Sequence, residues 1–151
     1  MPTENAPRLI HDIVATADVF LRESARLFRP HGLTAAQFNV LNLLAAREQA
    51  AGFSQRELAD ALVVDRSNVT GLVDRMESAG LVRRENDAAD RRVYRVRLTA
   101  AGKKLWQKVA PGYAEVVGQV TARLTEKAMR DTAGLLATLR EDAVKWTAPR
   151  R

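Results

Sequence analysis

The sequence predicts a mainly α-helical chain with one small β-hairpin: a helix-turn-helix followed by a wing, flanked by helices at both ends. Three observations carry this prediction. Apolar residues recur at i, i+3, i+4 and i+7 in segments before and after the middle of the chain. The period changes to two over residues 81–98, where Tyr94, Val96 and Leu98 alternate with Val93, Arg95 and Arg97. Only Val63, Val64 and Asp65 separate the third and fourth helical segments, the short joint of a helix-turn-helix.

The first helix spans 8–28, with Leu9, Ile10, Ile13, Val14, Ala17, Phe20, Leu21, Leu27 and Phe28 on one face and Ser24 interrupting it. Arg29-Pro30-His31-Gly32 ends it, because proline restricts its predecessor and glycine terminates helices. Thr34 and Gln37 form a capping box for a second helix, whose apolar face is Phe38, Val40, Leu41 and Leu44; Ala51-Gly52 breaks it. Ser54 and Glu57 form a second box for a short helix running to Leu62. The fourth helix runs from Arg66 to Ala79, with Asp65 as its cap and Gly80 as its stop.

Leu81-Val82 opens the first strand of the wing, Asn86-Asp87-Ala88-Ala89-Asp90 forms its tip, and Tyr94, Val96 and Leu98 face inward. Thr99 caps a long helix with Leu105, Val109, Val116 or Val117, Val120 and Leu124 on one face, loosened or kinked at Pro111-Gly112. A last helix over 126–146 carries Met129, Ala133, Leu136, Leu139, Ala143 and Trp146, and the tail Pro149-Arg150-Arg151 frays. Val19, Ala25 and Leu135 widen the apolar faces of the two terminal helices, and such faces call for a partner or for each other.

Length and composition limit the alternatives. A chain of 151 residues suits one domain, alone or with an oligomerisation element. With 46% hydrophobic and 28% charged residues it is not disordered. The absence of cysteine excludes a disulfide scaffold, a thiol nucleophile and a cysteine-ligated zinc. No signal core and no run of 18 apolar residues stands in the sequence, so we expect a cytoplasmic protein without a membrane partner.

Charge is unevenly spread. The net charge of +6 makes an anionic partner plausible. Residues 54–80 carry −2, whereas 81–99 carry +3 from six arginines against Glu85, Asp87 and Asp90. Arginine suits planar, bidentate contact with phosphates and base edges.

On the fourth helix Val69, Leu72, Val73 and Met76 form a core stripe, which leaves Arg66, Ser67, Asn68, Thr70, Gly71, Asp74 and Arg75 outside. A helix entering the major groove reads bases near its N-terminus, where asparagine pairs with adenine and arginine with guanine. Asn68 and Arg75 are the best candidates for base contact, with Ser67 and Thr70 on phosphates or base edges. Gly71 adds no side chain, so the backbone can approach a groove wall closely. Ser54, Gln55 and Arg56 open the helix before the turn and are candidate DNA contacts. In the wing, Arg92 is the candidate minor-groove reader, held by a bidentate bond from Asp90. Arg83, Arg84, Arg91, Arg95 and Arg97 are candidate phosphate contacts or solvated charges.

Enzymatic readings find little support. His11 and His31 have no metal-ligand spacing, there is no glycine-rich phosphate loop, and no nucleophile–base set is evident, so neither a metal nor a cofactor is expected. Asp87 and Asp90 on an arginine-laden tip are better suited to orienting those arginines. The remaining alternatives are a nonspecific or architectural nucleic-acid-binding protein, and a winged-helix protein–protein adaptor, to which the −2 charge of 54–80 lends some weight.

The runs Ser54-Gln55-Arg56-Glu57-Leu58-Ala59, Asp65 through Glu77 (DRSNVTGLVDRME) and Gly80-Leu81-Val82-Arg83-Arg84 resemble the DNA-binding core of the MarR family, the multiple antibiotic resistance regulators. Asp87-Ala88-Ala89-Asp90-Arg91-Arg92 and the exit Val96-Arg97-Leu98-Thr99-Ala100-Ala101-Gly102 resemble its wing signature. The resemblance covers about 34–104; Val63 and Ala88 depart from it, standing where the family often has glycine and proline. It implies a homodimer, with residues 1–33 and 99–151 as dimerisation helices around a DNA-binding domain of 34–98. It also implies a transcriptional regulator on an inverted-repeat, double-stranded operator, usually a repressor released by a small, often phenolic or anionic, effector. That effector would bind between the terminal and winged regions, near the start of the long helix, where His11, Trp106 and Tyr113 are candidate lining residues or ordinary packing groups.

Overall fold

The computed structural model describes residues 3–47, 52–62 and 66–145, with only the backbone of Arg66. The Val63–Asp65 joint, the Asp65 cap, Ala51, Trp146 and the tail lie outside the described residues. The elements are α1 (Asn5–Phe28), a 3-10 turn (Arg29–His31), α2 (Ala35–Ala46), β1 (Phe53–Ser54), α3 (Gln55–Leu62), α4 (Arg66–Ser78), β2 (Val82–Asn86), β3 (Tyr94–Leu98), α5 (Ala100–Thr121) and α6 (Glu126–Lys145). By contacts the chain divides into two compact units, Met1–Tyr113 and Ala114–Arg151. The fold is thus mainly helical, with a small antiparallel sheet of order β1-β3-β2.

Both predicted capping boxes form. Thr34 Oγ1 accepts the Gln37 N–H at 3.2 Å while Gln37 Oε1 accepts the Thr34 N–H at 2.9 Å. Ser54 Oγ and Glu57 do the same at the start of α3, at 3.2 and 2.7 Å. Each box satisfies two backbone donors that a helix start otherwise leaves unpaired. The strand β1 is absent from the sequence expectation. It exists because Phe53 and Ser54 pair with Val96 and Arg95 of β3, a contact that no local pattern announces.

The core of the first unit is apolar throughout. Phe38, Val40, Leu41 and Leu44 of α2, Leu58 and Ala59 of α3, and Val69, Leu72, Val73 and Met76 of α4 are all buried, with Val82 and Val96 from the hairpin. Burial of each such side chain contributes about 1.5–3 kcal/mol. Phe28 stacks on Phe38 at 4.4 Å between centroids, and Tyr113 tilts onto Phe38 at 4.9 Å. This aromatic group fixes the end of α1 and the middle of α5 to α2.

One expectation for this region is corrected. Val96 is fully buried and Leu98 half-buried, but Tyr94 is 53% exposed. Tyr94 pairs with Asn86 on the last rung of the hairpin, two residues beyond the last buried position of β3. Pro111 lies inside α5, as expected, and the helix runs from Ala100 to Thr121.

Much of the apolar face expected on each flanking helix is exposed. Leu9, Ile10, Val14, Val19, Phe20 and Leu21 of α1 are 44–60% exposed. In the second unit Leu135, Leu136 and Val144 of α6 are also exposed.

The exit from the wing is a close backbone contact. Thr99 donates its hydroxyl to Gly80 O at 2.6 Å and accepts the Gly102 N–H at 3.0 Å. A Cβ on buried Gly102 would stand 1.9 Å from Leu81 O. Only glycine lets the first turn of α5 lie against the start of the wing. Gly102→Ala is therefore expected to destabilise the fold by about 1–3 kcal/mol, the cost of overpacking a filled site. Gly134→Ala, in open space inside α6, should stabilise by about 0.5–1 kcal/mol. Urea denaturation followed by circular dichroism reads both; equal effects of the two substitutions would refute the close-contact account.

Candidate nucleic-acid interface

The buried stripe of α4 fixes which residues it presents outward. With Val69, Leu72, Val73 and Met76 in the core, Ser67, Asn68, Thr70, Asp74 and Arg75 are exposed and Gly71 is half-buried. A Cβ on Gly71 would lie 3.4 Å from Arg75 Nη1, so the Arg75 guanidinium folds back along the helix over the glycine. Asn68 and Arg75 thereby share one face with Ser67 and Gly71, along a groove of about 500 Å³ that also touches Leu21, Ala36 and Asn39. The side chain of Arg66 lies outside the described residues.

At the start of α3 the three candidates differ. Ser54 stands in β1 rather than in the helix, and its hydroxyl is engaged by the cap. Gln55 is half-buried and Arg56 is exposed.

The six wing arginines separate into two groups. Arg84 and Arg95 are internal struts. Arg84 donates to Asp74 Oδ1 at 2.5 Å and to Glu77 Oε2, while its backbone N–H reaches Glu77 Oε1 at 2.9 Å. Arg95 donates to Glu57 Oε2 at 2.6 Å and to Asp87 Oδ2. Their side chains are 19% and 25% exposed. Both were expected as phosphate contacts or solvated charges; here two carboxylates each hold them inside the domain.

The other four lie further out. Arg83 and Arg97 share Glu85, at 2.6 and 3.0 Å. Arg91 is exposed, and the Arg92 side chain is 91% exposed. Asp90 Oδ1 accepts the backbone N–H of Arg92 at 3.0 Å and its Nε at 3.2 Å, and Oδ2 accepts Nη2 at 3.4 Å. This is the two-oxygen, two-nitrogen contact expected between them.

The acids answer to these bonds. Asp87 is held below the usual carboxylate range, first by the Arg95 side chain and then by the N–H groups of Ala89 and Asp90. Asp90 is lowered by the backbone N–H and then the side chain of Arg92. Glu57 is lowered by the Ser54 N–H, with Arg95 adding to it. All three stay ionised well below neutral pH, so the wing's charge pairs persist under ordinary conditions.

Of the residues expected near an effector, the structure packs two and leaves the third outside. Tyr113 joins the aromatic group, and Trp106 Nε1 donates to Asn42 Oδ1 at 3.1 Å. His11 is exposed on α1 with Nδ1 3.5 Å from Asp12. A cavity of about 340 Å³ does stand at the start of α5, lined by Arg47, Arg83, Arg97, Thr99, Ala100 and Lys103 among others. Sequence reasoning missed Arg47 and Lys103 because neither belongs to a charge run. Among the described residues no group of three or more His, Cys, Asp or Glu is placed to hold a metal, and no helix is long and apolar enough to cross a membrane.

Comparison with known proteins agrees with this geometry. Residues 31–93 match the sequence profile described as MarR family. Over 120 residues the chain is 36% identical to the transcriptional activatory protein BadR of Rhodopseudomonas palustris, covering 76% of this chain and 69% of that protein. It is 30% identical over 132 residues to the homoprotocatechuate degradative operon repressor of Escherichia coli, covering 84% and 87%. Among solved structures it resembles the M. tuberculosis transcriptional regulator MOSR in complex with DNA, with a TM-score of 0.72, 30% identity, and coverage of 90% of this chain and 96% of that one. With its helix-turn-helix, its three-stranded wing and these relatives, the chain belongs to the MarR family of DNA-binding, non-enzymatic transcriptional regulators.

Proposed function

We propose that the protein is a homodimeric, sequence-specific repressor that binds an inverted repeat in double-stranded DNA and is released by a small organic ligand. The observation that carries this reading is the outward face of α4, where Ser67, Asn68, Thr70 and Arg75 stand opposite a fully apolar stripe and on the same domain as an exposed wing-tip arginine. A nonspecific binder needs basic charge alone. The α4 face instead offers amide and guanidinium groups able to pair bidentately with adenine and guanine. Residues 34–98 then form the DNA-binding domain, and we place the protein in the cytoplasm with the DNA it reads.

The exposed apolar face of α1 and the exposed leucines of α6 support dimerisation through 1–33 and 99–151. Two recognition helices would then meet half-sites about one helical turn, or ~34 Å, apart. For the ligand, we read the cavity at the start of α5 as a site for an anion, because Arg47, Arg83, Arg97 and Lys103 are among its lining residues. Release requires that the ligand bind more tightly to the form of the dimer that fits DNA poorly. The relatives named above include both an activatory protein and a repressor; repression is our reading for this chain.

Sedimentation at micromolar concentration should give a dimer for the full chain and lose it when residues 126–151 are removed. A well-folded full-length monomer would refute dimerisation.

Selection from random double-stranded DNA should enrich an inverted repeat. Asn68→Ala should relax preference at particular base positions; uniform weakening across all sequences would instead mean backbone contact alone.

For the wing, a guanidinium held by Asp90 fits the narrow, electronegative minor groove of A·T-rich DNA. Arg92→Ala should cost about 1–3 kcal/mol of binding. Asp90→Ala should also weaken binding although it removes a negative charge. Unchanged titrations for both variants, with circular dichroism intact, would exclude this mechanism.

A further inference from the structure

We propose that Arg95 is a positioning residue, which ties the wing tip to the start of α3 so that Arg92 is presented to DNA in a fixed orientation. The proposal rests on the reading of Arg92 as a groove contact.

An unbroken line of hydrogen bonds runs from α3 to the tip. It begins at Glu57, whose carboxylate accepts the Ser54 N–H at 2.7 Å and Arg95 Nη1 at 2.6 Å. Arg95 Nε donates to Asp87 Oδ2. The other oxygen of Asp87 accepts the N–H of Ala89 at 2.7 Å and of Asp90 at 3.2 Å, which sets the turn of the tip. Asp90 then grips the backbone and side chain of Arg92. Arg95 is well placed to be the middle of this line, since in the sheet register it stands between Ser54 of β1 and Glu85 of β2.

Arg95 itself is poorly placed to touch DNA. Its side chain is 25% exposed, and reaching a phosphate would break its charge-assisted bonds to both carboxylates. Arg92 is the reverse case, 91% exposed and held by Asp90. A flexible tip would leave that side chain to be ordered at the moment of binding, and affinity would fall by the corresponding entropy. The interaction therefore spans sequence separations of 38 residues between Glu57 and Arg95 and of eight between Asp87 and Arg95.

The test uses the full-length protein, a DNA fragment enriched from random sequence, and fluorescence anisotropy at several salt concentrations. Two substitutions weaken the line while sparing local structure: Glu57→Gln removes the charge from the oxygen that accepts both the Ser54 N–H and Arg95 Nη1, and Asp87→Asn replaces the oxygen that accepts Arg95 Nε by an amide that donates. Glu57→Gln keeps a side chain that can complete the capping box. Asp87→Asn keeps an oxygen for the Ala89 and Asp90 N–H groups. Each should weaken binding roughly three- to tenfold, the cost of one long side chain left to be ordered on binding. That sign opposes simple electrostatics, because each removes a negative charge from a DNA-binding domain. In an Arg92→Ala background neither should change affinity, and adding Arg95→Met there should leave the salt slope unaltered.

If Arg95 were a phosphate contact, Arg95→Met would lower the salt slope by about one in the Arg92→Ala background, and the two neutralised acids would bind as well as the parent or better. That result overturns the proposal. So does parental affinity for Glu57→Gln and Asp87→Asn beside a weakened Arg92→Ala, which leaves the groove reading standing. Parental affinity for Arg92→Ala itself would overturn the groove reading, and the positioning role with it.

Discussion

The burial of Val96 at the centre of β3 is the constraint from which the wing follows. Val96 is fully buried and pairs with Phe53 on one side and Arg84 on the other. Side chains alternate along a strand, so seating Val96 in the core places its neighbours Arg95 and Arg97 on the opposite face. A slip of one residue would bury an arginine and expose the valine. Register and charge placement are therefore one decision. Gly52, just before β1, is bound by the same packing, since its φ of +75° and the 2.6 Å from a Cβ position to Val96 O admit no larger residue.

That decision explains the uneven charge of the sequence. The acid-rich helices and the arginine-rich hairpin are the two sides of one seam. Glu57 of α3 meets Arg95, and Asp74 and Glu77 of α4 meet Arg84. An isolated exposed ion pair contributes little, but here each arginine is shared by two carboxylates and mostly sheltered from solvent. Three of the five acids of 54–80, Glu57, Asp74 and Glu77, thus turn to the hairpin arginines. What remains directed outward at the tip is the positive charge of Arg91 and Arg92.

Much of this architecture was legible in the sequence because it depends on local rules. Two capping boxes, the apolar stripe of α4 and the change of period at the hairpin each need only a few neighbouring residues. Asp90 and Arg92 were legible for the same reason, lying two residues apart. What the sequence hid is long-range. The strand β1 has two residues and exists through pairing with a strand some forty residues later. The alternation that reads Tyr94 as buried cannot tell where the core stops along β3. The carboxylate partners of Arg84 and Arg95 were hidden because they lie in other elements, and no spacing within the hairpin announces them. Arg47 and Lys103 come to the same cavity from α2's end and α5's first turn, which no spacing in the sequence suggests.

The wing also shows why a rigid tip must be borrowed rather than intrinsic. A two-stranded hairpin is at best marginally stable in water. The wing gains a third strand from β1, a floor from Val82 and Val96, and a tight exit at Thr99 and Gly102. All of these act at its base. The far rung, Asn86 with Tyr94, has no core beneath it, and Tyr94 is exposed there. Beyond the last buried residue, only polar bonds can order the chain: Asp87 to the tip amides, the Asp87 N–H to Val93 O at 2.8 Å, and the Val93 N–H to Asp90 O at 2.9 Å. A tip built from apolar contacts would have to expose them to the solvent. Carboxylates and arginines order the same few residues while remaining hydrated, and they leave the outermost guanidinium charged and outward, as the proposed groove contact of Arg92 requires.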